Sequence, residues 1–320
     1  MVVVGDAVGH LPNQLPRLEA GFFSPLLKVT DGNRRWPALG ESRVMISAER
    51  ERTLLVSDVV IMESDYFQKR LFFWSHLNLV DGIPKVNGSS TLQIREQAEL
   101  QRQLYPTNHQ SSLQHEKIMD FLSVAYVARE NGRASLPDPT PLPLRLLAEP
   151  ELDPGISAWK VRTSRQAFLV AGRESRFFVP QRTLKELLAD DFDPRRVVYL
   201  PLEASGYVPT NAANARVTTR RFAAHEILAE VETDAPTLVT VAQSFYHPWR
   251  AFVDGQPVRL WRANYAFQAL AVPAGKHTVR LVYVDEKFRL GVGISLAALA
   301  VCGVLWWRSS RSKVQSPKSE

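Results

Sequence analysis

The chain has 320 residues, 45% hydrophobic and 22% charged, a balance that excludes intrinsic disorder and leaves room for about two domains with proper cores. Its net charge of +6 is spread over scattered Lys and Arg rather than striped, which argues against nucleic acid as a partner. The single cysteine, Cys302, excludes a disulfide within the chain and leaves the redox compartment open.

The first forty residues carry Pro12, Pro16, Pro25 and Pro37 and read as an extended lead-in, with Val2–Val4 as a short strand. Met1–Asp6 has no basic region and too short an apolar run for a signal peptide. Arg43–Ser47 and Thr53–Ser57 are strand-like by β-branched content. Phe72, Phe73 and Trp74 form an aromatic knot ahead of the loop Asn78–Gly88, whose turns are marked by Gly82, Pro84 and Gly88. Leu92–Tyr105 is helical and polar, anchored by Ile94, Ala98 and Leu104. A second helix at Leu113–Leu122 puts Ile118, Met119 and Leu122 on one face, and Val124–Ala128 follows as a strand. Helices alternating with strands predict an α/β-type layer over residues 1–135.

Residues 136–154 form a linker, stiffened by four prolines between Leu136 and Pro143. A mixed segment and a β-domain then occupy 155–288. Ala167–Val170, Arg176–Val179 and Arg196–Leu200 read as strands, and Thr183 with Glu186 as a capping box opening a short helix that Pro194 stops. In Glu226–Glu232, Ile227, Ala229 and Val231 alternate with Glu226, Glu230 and Glu232, a half-buried strand with a wet face. Pro236–Tyr246 is apolar on both faces and fits a central strand. Asp254-Gly255 between two β-rich runs is a hairpin signal, because both central positions of a type I′ turn need positive φ. Pro273-Ala-Gly275 turns the chain into His277–Tyr283. This spacing predicts an antiparallel β-sandwich, and the fold class as a whole is α+β.

Leu290–Trp307 has no charge over 18 residues, near the lower limit for crossing about 30 Å of hydrocarbon, and Trp306 and Trp307 suit an interfacial belt. The bland alternative is a buried helix of a soluble protein. A transmembrane helix at 289–308 with the basic tail 309–320 in the cytoplasm would leave the bulk of the chain outside.

Ser244–Gly255, Arg262–Phe267, Val272–Val279, Tyr283 and the helix start Gly291-x-Gly293-Ile-Ser295 resemble the C-terminal extracytoplasmic region of the bacterial YfhO-type membrane proteins. Asp193-Pro194, Val197–Tyr199, the Asn78–Gly88 loop and Ile118–Val127 follow the order of that family. The resemblance implies a polytopic protein of the bacterial cytoplasmic membrane, related to the GT-C glycosyltransferases that use lipid-phosphate sugars and linked to glycosylation of cell-envelope polymers. It also implies that N-terminal membrane spans and the catalytic acids of the first outer loop lie elsewhere, so the chain is expected to be a fragment, the product of a split gene or the result of a mis-set start codon. An upstream span would then explain delivery of residues 1–288 to the outside.

The histidines His10, His76, His109, His115, His225, His247 and His277 are dispersed, with no His-Glu-x-x-His or cysteine cluster and hence no local metal motif. Neither a Gly-x-Ser-x-Gly elbow nor a phosphate-cradling Gly-x-x-x-x-Gly-Lys occurs. No catalytic, metal or cofactor-binding residue is therefore assigned. Tyr246, Trp249, Trp261 and Tyr265 are candidates for an aromatic platform under a sugar ring, with Asp254 and Asn264 as hydrogen-bond partners. Against this stands the plainer reading of a sandwich core and a turn that needs Asp254-Gly255 for its geometry. Asp81, Asp120, Asp285 and Glu286 are the other acids of note, the last two beside Lys287 and Arg289 at the expected membrane interface. The expected role is non-catalytic: to bind or orient an acceptor glycan or a lipid-linked sugar beside a membrane-embedded active site. The expected partners are the lipid bilayer, that glycan and the N-terminal spans. The rivals are a purely structural module that packs on membrane spans and a stand-alone carbohydrate-binding surface module.

Overall fold

A computed structural model describes residues 36–56, 62–88, 92–105, 116–128 and 159–312. The lead-in segment, the Pro-rich linker and the end of the basic tail lie outside the described residues.

The first unit rests on three strands. β1 (Arg43–Met45) runs parallel to β2 (Val124–Ala128), and β3 (Trp159–Val161), from beyond the expected linker, pairs antiparallel with β2. A parallel pair needs a long crossover. Here it contains α1 (Ala48–Leu55), α2 (Met62–Leu71), α3 (Arg95–Leu104) and α4 (Glu116–Phe121). The Phe72–Trp74 knot becomes a core: Phe72, Phe73 and Trp159 are buried, and Trp36 stands edge-on to Phe73 at 5.1 Å and to Trp159 at 5.4 Å. The expected strand at Thr53–Ser57 is instead helical through Leu55. The side chain of Ser47 accepts the Arg50 N–H at 3.2 Å and caps α1, while Ala48, Arg50 and Leu54 face inward. That cap outweighs the β-branched content of the helix's last turn.

β4 (Leu169–Val170) leads into a small parallel pair, β5 (Glu174–Phe178) and β6 (Val197–Pro201), joined by α5 (Pro180–Leu187). The expected capping box is not formed. Pro180 occupies the first helical position, where its missing N–H leaves no bond unmade. Thr183 lies inside the helix and gives its hydroxyl to the Val179 carbonyl at 3.2 Å, and Glu186 pairs with Arg182.

The sandwich has one sheet of five strands in the order β11 (Gln256–Val258), β10 (Trp249–Val253), β14 (Gly275–Tyr283), β8 (Glu226–Thr233), β7 (Ala215–Phe222). The other has four, in the order β12 (Trp261–Ala263), β13 (Phe267–Val272), β9 (Thr237–Ser244), β4. Ala229, Val231, Val279 and Leu281 of the first sheet pack against Val239, Val241 and Leu270 of the second. The outer face of the second sheet is covered too. Leu238, Ala263 and Ala269 meet Val198 and Leu200 of β6, while Ala242 and Phe267 meet Met119 and Phe121 of the first unit. Double coverage explains why β9 has no polar alternation. The Asp254-Gly255 turn has φ of 50° and 80°, the positive pair its hairpin requires.

The two units are fastened through Phe121, whose ring meets Phe267 edge-on at 4.8 Å, and through Arg43. The Arg43 guanidinium donates to the carbonyls of Leu122 at 2.8 Å and Ala242 at 2.5 Å and lies 4.0 Å over the Phe168 ring. Burial pushes its pKa down to about 9.

α6 (Glu286–Ser312) follows β14 after two residues. Its stretch Glu286–Ser309 is long and apolar enough to cross a membrane, and none of it is buried against the rest of the protein. At about 1.5 Å per residue, 24 residues span about 36 Å, enough for the hydrocarbon core. Asp285 accepts the Phe288 N–H at 2.9 Å and so caps this helix, the role the structure gives that acid.

Candidate functional site

A cavity of about 340 Å³ opens where the βαβ unit, the four-stranded sheet and α3 meet. That volume is at the lower end for a small-molecule site. Each wall follows from local pattern. β12 alternates, so Trp261 and Ala263 point into the cluster with Leu200 and Ala269 while Arg262 points the other way. Phe178 of β5 and Tyr199 of β6 add apolar wall, and Phe245, just past β9, closes one side. In α3, Glu96, Leu100 and Leu104 recur at helical spacing on the buried face, and this puts the Glu96 carboxylate at the cavity edge.

The polar groups are held in fixed pairs. Arg262 donates to Glu96 at 2.5 Å, and Arg95 does so at 3.0 Å. Burial pulls the Glu96 carboxyl upward, but its backbone hydrogen bond, Arg95 and Arg262 together outweigh it and leave it below the usual carboxylate range. One turn on, Glu99 takes the hydroxyl proton of Tyr265 in a hydrogen bond, fixing that ring as a wall. The Arg262 guanidinium also lies 5.0 Å over the Phe245 ring. At the mouth, exposed Arg259 covers the Trp261 ring at 3.8 Å, and Glu203 supplies an exposed carboxylate. The result is an apolar groove edged by oriented donors and acceptors, chemically suited to a ring with hydroxyl substituents.

The six residues expected to form a sugar platform do not share one surface. Trp261 and Tyr265 line the cavity, although only 5% and 9% exposed. Asn264 is buried beside them at φ 44°. Its amide oxygen accepts the Tyr199 N–H at 2.8 Å and its own N–H goes to the Tyr199 carbonyl, so it pins the turn to β6 rather than facing a ligand. Trp249 is in the sandwich core, because the inward positions of β10 are Trp249, Ala251 and Val253. Asp254 is at the far hairpin, where it accepts the Thr278 N–H at 2.8 Å and pairs with His277 at 2.6 Å. Tyr246 is exposed at the sandwich end next to α6.

Sequence reasoning missed Glu96, Glu99, Arg259 and Arg262. Arg262 and Glu96 are 166 positions apart, beyond any local spacing rule. The one available signal was the alternation of Trp261, Arg262 and Ala263. Of the other acids, Asp81 is buried in an ion pair with Arg70 at 3.0 Å. Asp120 is held by Arg162 at 2.9 Å and Ser164 at 2.7 Å. Among the described residues, no three His, Cys, Asp or Glu side chains gather as metal ligands.

The sandwich passes through two residues into a helix of membrane-crossing length. Residues 210–295 match the family model of the bacterial membrane protein YfhO. The matched stretch begins just before β7, takes in the YfhO-like sandwich strands β7–β14 and ends in the third turn of α6. No curated protein and no solved structure matches the chain. The cavity's Arg259, Arg262 and Tyr265 fall inside the YfhO-like stretch, whereas Glu96 and Glu99 fall outside it.

Proposed function

We propose that this chain is the extracytoplasmic part of a YfhO-like membrane protein that acts in glycosylation of cell-envelope polymers, anchored by α6 and not catalytic by itself. Its role is to hold the acceptor glycan or a lipid-linked sugar in the cavity beside Trp261 and Tyr265. The observation that carries the reading is the position of that cavity. Phe245 lines it, and the next residue, Tyr246, stacks at 6.3 Å on Tyr283, which only Val284 and Asp285 separate from α6. A groove of aromatic wall and fixed charge thus sits at the end of the sandwich nearest the anchor, where a sugar on a lipid carrier would arrive.

Calorimetric titration of the full chain in lipid nanodiscs with envelope-glycan fragments and lipid-linked sugars tests this. Saturable binding is expected, and Arg259→Met should weaken it about tenfold or more, because a charged hydrogen bond contributes about 1.5–3 kcal/mol. Arg259 is exposed, so its loss leaves the fold intact. Absence of heat with every glycan would favour the second reading, a module whose only partners are other membrane helices. One feature supports that alternative: α6 is uncovered, and its Gly291, Gly293 and Gly303 have open space where a neighbouring helix would pack closely.

A further inference from the structure

The join between β14 and α6 is short, and hydrogen bonds hold the chain on both sides of it. The N–H of Tyr283 reaches the His225 carbonyl at 2.9 Å, and that of Val284 reaches the Pro248 carbonyl at 3.0 Å. The N–H of Arg289 reaches the Asp285 carbonyl at 3.1 Å, alongside the Asp285 cap. The strand end and the helix start are thus each tied down, with the turns at 223–225 and 245–248 flanking Tyr283 at the end from which α6 leaves.

The surface of that end has an unusual composition. Tyr246 and Tyr283 are 37% and 36% exposed, their rings stacked at 23°, and the His247 ring meets Tyr246 edge-on at 4.4 Å. His225 and His247 are exposed, and Lys287 and Arg289 follow on the first turns of α6. Apolar exposure begins at once, with Phe288 at 69% and Leu290 at 66%. Tyrosine, an apolar ring with a wet hydroxyl, is the residue that bilayer interfaces enrich, and cations beside it suit phosphate.

Length decides how far this end stands from lipid. From Leu290 back to Glu286 is four helical steps, about 6 Å, and the three steps on to Tyr283 lie outside the helix and add at most about 10 Å. The headgroup layer on one side of a bilayer is about 5–8 Å thick. With Leu290 at the hydrocarbon boundary, Glu286 falls within the headgroups, and Tyr283 and its neighbours stand over their outer edge. We propose that Tyr246, His247 and Tyr283, with the 223–225 turn, form a collar that rests on the outer edge of the headgroup layer of the bilayer spanned by α6, a second lipid contact made by the sandwich itself. The inference rests on α6 spanning lipid but not on what the cavity binds.

Site-directed spin labelling of the full chain in phosphatidylcholine–phosphatidylglycerol vesicles tests it. Cys302 is the only cysteine and is exposed on α6, so the unaltered chain carries a label in the span. In a Cys302→Ala background, labels go on Tyr246→Cys, on His247→Cys as a second loop position, and on Ala274→Cys at the opposite end. β14 separates the ends by eight steps, about 26 Å. The expected result is that labels at 246 and 247 collide with an aqueous nickel chelate at least about threefold less than the label at 274, and more with lipid-dissolved oxygen. Labels at 246 and 247 as open to the chelate as the one at 274, while Cys302 reads lipid, would overturn the collar and leave the span standing. A Cys302 label fully open to the chelate would overturn both. Glycan added to saturation serves as the independent arm: the collar predicts unchanged accessibility at 246, so protection appearing only with glycan would mean that a ligand, not lipid, covers the tyrosines.

Discussion

Asp254 combines two tasks in one short side chain. Its backbone takes the left-handed conformation at φ 50°, which Asp tolerates better than most residues, and its two oxygens accept from the Thr278 N–H and pair with His277. The hydrogen bond with Asp254, then that with the Ala274 carbonyl, raises the His277 pKa. The bond with His277, then the Thr278 N–H, lowers that of Asp254. A raised histidine stabilises the fold fully below its unfolded pKa of about 6.5, and the effect is lost as pH rises through the folded value. The lowered aspartate stabilises above its unfolded value of about 3.9, and this is lost as pH falls through the folded one. The melting temperature should therefore decline as pH rises past the raised His277 pKa, and His277→Gln should flatten that decline. Thermal unfolding followed from pH 5.5 to pH 8.5 checks it, and a His277→Gln profile parallel to wild type would contradict it.

At the scale of single elements, the turns were the most legible part of the sequence because their chemistry is local. Asp254-Gly255 announces its own hairpin, and the alternation in Glu226–Glu232 announces β8 with its wet face. α1 was misread because a cap at Ser47 decides it, six residues before the β-branched stretch begins. The cavity was nearly illegible, since its carboxylate and guanidinium come from α3 and β12 and meet only through tertiary packing. Glycines separate the two kinds of information. Gly255 at φ 80° has open space around it, so Gly255→Ala should cost about 1–2 kcal/mol from conformation alone. Gly172, also at φ 80°, would place a Cβ 2.2 Å from the Ala213 carbonyl oxygen, and Gly172→Ala should be markedly worse. Denaturant midpoints of the two variants give the comparison. Nothing in the sequence beside Gly172 foretells the difference, because Ala213 lies on a later loop.

Over the whole molecule, the two units are coupled through one shared buried cluster and the polar contacts at its rim. Arg43 donates to one carbonyl from each, and Phe121 meets Phe267 across the seam. Arg43→Ala would strand two inward-facing carbonyls at about 1–3 kcal/mol each, so a loss of about 2–6 kcal/mol is expected. Limited proteolysis should then find the seam open before either core unfolds, and a variant with unaltered cleavage would show that the apolar seam suffices without Arg43. The same seam shapes the cavity, since Glu96 stands on one side and Arg262 on the other.

The two residues between β14 and α6 have a mechanical meaning for the protein at work. Even slack, two residues reach only about 8 Å, so the sandwich is a fixed post and not a bead on a string. It cannot stoop toward the bilayer or lean out along a polymer. With α6 in lipid, Phe245 and the groove behind it stay close above the bilayer, and on the proposed reading the groove would meet a glycan near its own lipid anchor.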